Sequence, residues 1–192
     1  MASNLSLVVA LGNPGLQYQA TRHNIAWQLL DQLSFFSNLQ WNQKFKGVYA
    51  SHLLESEKIW FLKPMTYMNL SGESLAAMMD YFKIETERVL VIHDELELNF
   101  GVIGFKEGGG LAGHNGLRSI ASCLGTRDFK RMRMGISRPS HSDITSYVLS
   151  DFNEDEEAVL PTYLERAVEF LELCMLEDFN FVKVKYKKKN LL

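Results

Sequence analysis

Cysteine and proline are scarce in this chain, and long apolar runs are missing from it. Two cysteines among 192 residues, Cys123 and Cys174, exclude a disulfide framework. Both lie among apolar residues at helical spacing and are expected as buried thiols. Four prolines and the lack of any low-complexity stretch or repeat leave no sign of a linker. Residues 1–192 are therefore expected to form one domain. No apolar run approaches the roughly 18–20 residues of a membrane span. The start, Met1-Ala2-Ser3-Asn4, lacks the charged and apolar regions of a signal peptide, so a cytoplasmic location is expected. Gly-x-Ser-x-Gly is absent, as are the Gly-Lys-Ser/Thr ending of a phosphate loop and a Gly-x-Gly-x-x-Gly after the first strand.

What is present is ordinary globular composition, 46% hydrophobic and 22% charged, with a net charge of −3. That small number hides an asymmetry. Residues 103–138 carry seven cations against Glu107 and Asp128, a net of +5, and Lys183, Lys185 and Lys187–Lys189 follow near the end. Much of the compensating acid lies between 151 and 178. Such a face can hold a polyanion or simply be solvated. Lys183–Lys189 read as a disordered basic tail.

Leu5–Leu11, Val48–Leu54, Ile59–Leu62, Val89–Ile92 and the alternating 131–137 stretch predict strands. Helical spacing predicts helices over 21–36, around Leu75–Phe82, over 117–124 with Gly125 just past its end, and through 160–175. Alternating strands and helices imply an α/β fold: a single domain, with a mixed, largely parallel sheet flanked by helices and a helical C-terminal third.

In such sheets ligands bind beyond the carboxyl ends of the strands. Asn13, Asn69, His93, Asp94, His114 and Asn115 all fall on that edge. The last two follow five glycines in nine residues, Gly108–Gly116, where backbone can take φ > 0 and a helix begins. His23 and Asp94 suggest a general base with an orienting carboxylate. With no serine or cysteine in a nucleophile setting, water is the expected nucleophile. Two alternatives stay open: a phosphate cradle at 108–113, and metal ligation by His23, His93, Asp94, Glu95 and His114, whose spacing fits no zinc motif.

Five motifs recur in order across residues 5–138: Leu11-Gly12-Asn13-Pro14-Gly15, Thr21-Arg22-His23-Asn24, Lys63–Gly72, His93-Asp94-Glu95-Leu96 and Gly113-His114-Asn115-Gly116-Leu117. As a set the chain resembles bacterial peptidyl-tRNA hydrolases. The resemblance implies hydrolysis of the ester between a peptide and the 3′ ribose of tRNA, with peptidyl-tRNA as the partner. It implies His23 as the proton acceptor that activates water, Asp94 as its orienter and Asn13 as the holder of the peptide backbone. Asn69 and Asn115 would contact substrate and the tRNA 3′ end. Tyr18 and Tyr67 would line the terminus site, and Met68 and His114 the groove wall. Lys106 and Arg133 would clamp a tRNA phosphate, which gives the +5 segment a role. The ester is activated, so neither cofactor nor metal is implied, and a monomer is expected. One departure is Ser137 in Ile136-Ser137-Arg138-Pro139, where the family usually has glycine. Leu111 and Ala112 read as tuning the mobility of the glycine loop.

Overall fold

The structure, a computed structural model, describes residues 3–140 and 143–192. Met1, Ala2, His141 and Ser142 lie outside the described residues, and with them part of the N-terminal start read above. Eight strands form one mixed sheet: β1 (Leu7–Ala10), β2 (Asn42–Lys44), β3 (Gly47–Leu54), β4 (Glu57–Pro64), β5 (Val89–Glu95), β6 (Val102–Glu107), β7 (Lys130–Gly135) and β8 (Lys188–Asn190). Their order is β2-β3-β4-β1-β5-β7-β6-β8. The four central strands β4, β1, β5 and β7 run parallel, and the outer ones pair antiparallel.

β1 is an unbroken apolar run because both of its faces are covered. Val8 and Ala10 join one core with Leu90, Ile92, Met132 and Met134, under α1 (Ile25–Leu30) and α5 (Glu154–Leu176). Leu7 and Val9 join the other with Val89 and Val91, under α2 (Ser71–Phe82) and α3 (Asn115–Leu124). Gly125 ends α3 with φ +69°, the left-handed stop that its sequence predicts.

Gly72 sets the approach of α2 to α3. A Cβ there would lie 2.2 Å from the Ser119 carbonyl oxygen, and the Gly72 N–H donates to Ser119 Oγ at 2.9 Å. Gly72→Ala must push the helices apart, at a cost of about 1–3 kcal/mol. The melting temperature is expected to fall by roughly 2–10 °C, and an unchanged melting curve would show that the crossing has slack.

Several expectations are corrected. The helix over 21–36 is shorter: residues Arg22–Asn24 form a 3-10 turn, α1 ends at Leu30, and Phe36–Asn38 form another 3-10 turn. The chain turns there so that Phe35 stacks on His52 at 3.8 Å and Phe36 meets Trp41 at 6.0 Å. His93 and Asp94 do not follow β5 but belong to it, because β5 stays paired with β7 as far as Glu95 and Gly135. Cys123 is exposed: the inward stripe of α3 is Gly116, Leu117 and Ile120. Cys174 is buried, as expected.

The basic tail is folded. Phe179–Lys185 form α6 and Lys188–Asn190 pair with β6 as β8. Buried Phe179, Val182 and Leu191 hold it, and Asp178 caps the helix through the Asn180 and Phe181 N–H groups. Lys183 pairs with Glu107 at 2.7 Å. Ser137, at the position where glycine is usual, takes φ +60°. Its Oγ accepts from the Phe100 N–H at 2.8 Å, which offsets part of the strain.

Candidate active site

The carboxyl ends of β1 and β5 open into a cleft of about 700 Å³. Nine of the residues expected from sequence line it: Asn13, Tyr18, His23, Tyr67, Met68, Asn69, Asp94, His114 and Asn115. They come from four stretches of chain, 13–23, 67–69, 94 and 114–115, gathered by the parallel centre of the sheet.

Asn13 leaves β1 after Gly12, which packs under Trp27; a Cβ on Gly12 would lie 2.6 Å from that ring. Its backbone is clasped by Asn24, which accepts from the Asn13 N–H at 2.8 Å and donates to the Asn13 carbonyl at 2.9 Å. Asn13 Oδ1 accepts from the Met68 N–H at 2.8 Å. That bond fixes the amide so that its NH₂ is left as a donor for the cleft.

His23 sits one residue before Asn24 on the 3-10 turn, 8% exposed. Its Nδ1 lies 2.7 Å from Asp94 Oδ1. Asp94 is 3% exposed, so a carboxylate there needs strong partners. Burial works to raise its pKa, but His23 and His114 outweigh it and hold the carboxyl well below the usual range. Burial works to lower the pKa of His23, and the Asp94 charge and hydrogen bond reverse this, leaving it raised. The result is an imidazole oriented through Nδ1, with Nε2 left toward the cleft.

The turn is braced from behind by buried Arg22. Its guanidinium donates to Ser150 Oγ at 2.8 Å, to the Asp151 carbonyl and to Glu156 Oε2 at 2.5 Å. It also lies over the Tyr147 ring at 4.3 Å. These contacts tie His23 to α4 (Ile144–Val148), whose Ile144, Thr145 and Val148 form a wall of the cleft.

His114 closes the other side. Its Nε2 lies 3.0 Å from the same Asp94 Oδ1, and its Nδ1 accepts from the Gly116 and Leu117 N–H groups at 3.1 and 3.3 Å, capping α3. Beneath it, His93 meets the ring edge-on at 5.1 Å and donates from Nδ1 to the Asp94 carbonyl at 2.7 Å. Burial, and then the neighbouring His114 ring, keep the His93 pKa well below its ordinary value. His23, Asp94 and His114 bring their ligand-type atoms within 4.8 Å of one another. Within the cluster, His23 Nδ1 and His114 Nε2 share one Asp94 oxygen, and His114 Nδ1 caps α3.

Lys106 and Arg133 lie elsewhere, on neighbouring strands β6 and β7. Together with Arg131 they share one sheet face, and Arg133 stands 3.6 Å from Glu95. Burial, and then Arg131 and Arg133, lower the Lys106 pKa. Arg131, 1% exposed, donates to the carbonyls of Gly108 and Gly110 and so holds the glycine loop from behind.

Arg22, Asn24, Arg118 and Arg131 have no site role expected from the sequence. Asn24 and Arg22 stand inside a quoted motif, and Arg131 alternates with buried methionines; Arg118, at the cleft, carried no signal beyond its charge.

Known sequences and a known structure resemble this chain along most of its length. A sequence profile described as peptidyl-tRNA hydrolase matches residues 7–191. A peptidyl-tRNA hydrolase of Geotalea daltonii is 43% identical over 98% of this chain and 99% of its own length. One of Treponema pallidum is 49% identical over 90% and 87%. The crystal structure of peptidyl-tRNA hydrolase from Acinetobacter baumannii superposes with a TM-score of 0.83 at 35% identity, covering 91% of this chain and 90% of that one. The chain belongs to the peptidyl-tRNA hydrolase family, whose function is the hydrolysis of peptidyl-tRNA.

Proposed function

We propose that this chain cleaves the ester between a peptide and the 3′ ribose of tRNA by direct attack of water, with His23 as general base. The observation that carries this reading is the 2.7 Å contact between buried Asp94 and His23 Nδ1, which leaves the opposite ring nitrogen for the cleft. Water adds to the ester carbonyl as His23 Nε2 takes its proton. The tetrahedral intermediate then expels the 3′ oxygen, and the same proton passes to it. A peptide acid and a free 3′ hydroxyl result, with no covalent intermediate. The Asn13 amide holds the peptide main chain, which tolerates any side chain. Asn69 and Asn115 hold substrate and the tRNA 3′ end, between Tyr18 and Tyr67, while Met68 and His114 form the groove wall.

Lys106 and Arg133 hold a tRNA phosphate. The reading requires no metal or cofactor, takes the protein to work as a monomer, and places it in the cytoplasm, where peptidyl-tRNA arises. Among the described residues no helix is long and apolar enough to cross a membrane.

The test compares N-acetylated with free aminoacyl-tRNA, with and without chelator. The blocked ester is expected to be cleaved much the faster, and chelator to change nothing. Equal rates on both esters, or loss of activity restored by zinc, would sink the reading. Phosphate contacts make binding salt-dependent, so Lys106→Ala and Arg133→Ala should each lower the slope of log affinity against log salt by about 1. An unchanged slope would remove that residue from the clamp.

A further inference from the structure

One oxygen of Asp94 accepts two ring N–H groups, from His23 Nδ1 at 2.7 Å and His114 Nε2 at 3.0 Å. The two rings differ in what their other nitrogen does. Nδ1 of His114 accepts two backbone N–H groups of α3 and so carries no proton. These bonds make Nε2 of His114 the donor to Asp94. His23, with its second nitrogen toward the cleft, is the ring left free to gain and lose a proton.

We propose that His114 is a positioning residue that sets the basicity of His23 through their shared carboxylate oxygen. Its N–H draws on the oxygen that would otherwise serve His23 alone, and so weakens the grip of Asp94 on the protonated base. The raised pKa of His23 is thereby kept from rising further, and more of the enzyme carries a free base near neutrality. This rests on the proposal that His23 is the base. It also gives the helix cap a second consequence: the turn that presents Asn115 is fixed to the carboxylate that orients His23.

The other ionisable groups around the pair are accounted for. On β5, His93 gives its Nδ1 proton to the Asp94 backbone and Glu95 faces Arg133. On α3, Arg118 lines the outer cleft; beyond β7, Arg138 is paired with Glu97. Arg22, next to His23, is turned toward Glu156. Tyr18 stands on the cleft wall, and the cleft-lining residues of α4, Ile144, Thr145 and Val148, carry no charge. Among these, the hydrogen bonds on the shared oxygen come from His23 and His114.

Two substitutions separate the cap from the donor. In His114→Asn the side-chain oxygen stands where Nδ1 stood and still caps α3, but nothing reaches Asp94. In His114→Gln the amide nitrogen stands near the lost Nε2 and donates to Asp94, while the cap is lost. The acid limb of kcat/KM on N-acetyl-aminoacyl-tRNA should rise in His114→Asn by about half to one pH unit, the size of one hydrogen bond. It should stay near the wild-type position in His114→Gln, even where thermal stability falls. NMR titration of the His23 ring in the free protein should give the same order without turnover. A limb that stays put or moves down in His114→Asn, or moves equally in both variants, overturns the proposal. Full activity of His23→Ala would instead defeat the reading on which it rests, whatever the ring titration shows.

Discussion

Replacing His23 with alanine lowers kcat/KM for N-acetyl-aminoacyl-tRNA by about 10²–10⁴-fold, the usual contribution of a positioned general base. The loss should fall on kcat, because the proposed contacts to peptide and tRNA belong to Asn13, Asn69, Asn115 and the Lys106–Arg133 pair. KM should move little. The ring is 8% exposed and faces the cleft, so its removal leaves space for added imidazole, which should restore part of the rate. The protein stays folded because Arg22 and Asn24, on either side, hold the turn through their own bonds. The measurement is single-turnover hydrolysis beside a far-UV spectrum. A folded variant within tenfold of the wild-type rate would falsify the assignment.

Asp94→Asn is expected to cost nearly as much, on the order of 10³–10⁴-fold, with almost no change of shape. The amide can still meet Nδ1 of His23, but it brings no charge and can hold the wrong tautomer. Its effect on pH dependence has a definite sign. Burial lowers the His23 pKa, and the Asp94 charge is what turns that into a net rise. Without the charge, burial acts alone and the pKa falls, so the acid limb of the residual activity moves to lower pH. His114→Asn is expected to move the same limb the other way. A pH profile of Asp94→Asn whose limb rises, or a rate within tenfold of wild type, would remove Asp94 from the mechanism.

β1, β4 and β5 were legible because their apolar runs have one physical cause, burial on both faces, and β7 was legible from its alternation. The edge strands β2 and β8 were not, since Asn42–Lys44 and Lys188–Asn190 are exposed and polar and owe their conformation to their neighbours. α6 was hidden because its lysines outvote two buried residues, Phe179 and Val182, in any reading by composition. In the cleft, residue types pointed to His23, Asp94 and the asparagines, and topology brought them together. What sequence could not convey is the bonding between them. Nothing in the spacing of Asn13 and Asn24 says that one amide clasps the backbone of the other. Nor does any spacing say that His114 caps a helix and serves a carboxylate at once. Arg22 and Arg131 are both buried, because backbone carbonyls and, for Arg22, a carboxylate replace their water.

The glycine loop has a consequence for how the protein can vary. Arg131 grips it through the carbonyls of Gly108 and Gly110, groups that every residue type possesses. Leu111 packs beside the α2–α3 core, while Ala112 takes φ +49° and Gly113 φ +76°. The path of the loop is thus written in main-chain bonds, one apolar peg and a few left-handed turns. Gly110 has an ordinary backbone, and a Cβ there would meet nothing within 4 Å. It is a vacant place on the loop that leads to Ala112 and Gly113 at the cleft, where a new side chain could be displayed while the scaffold beneath keeps its shape.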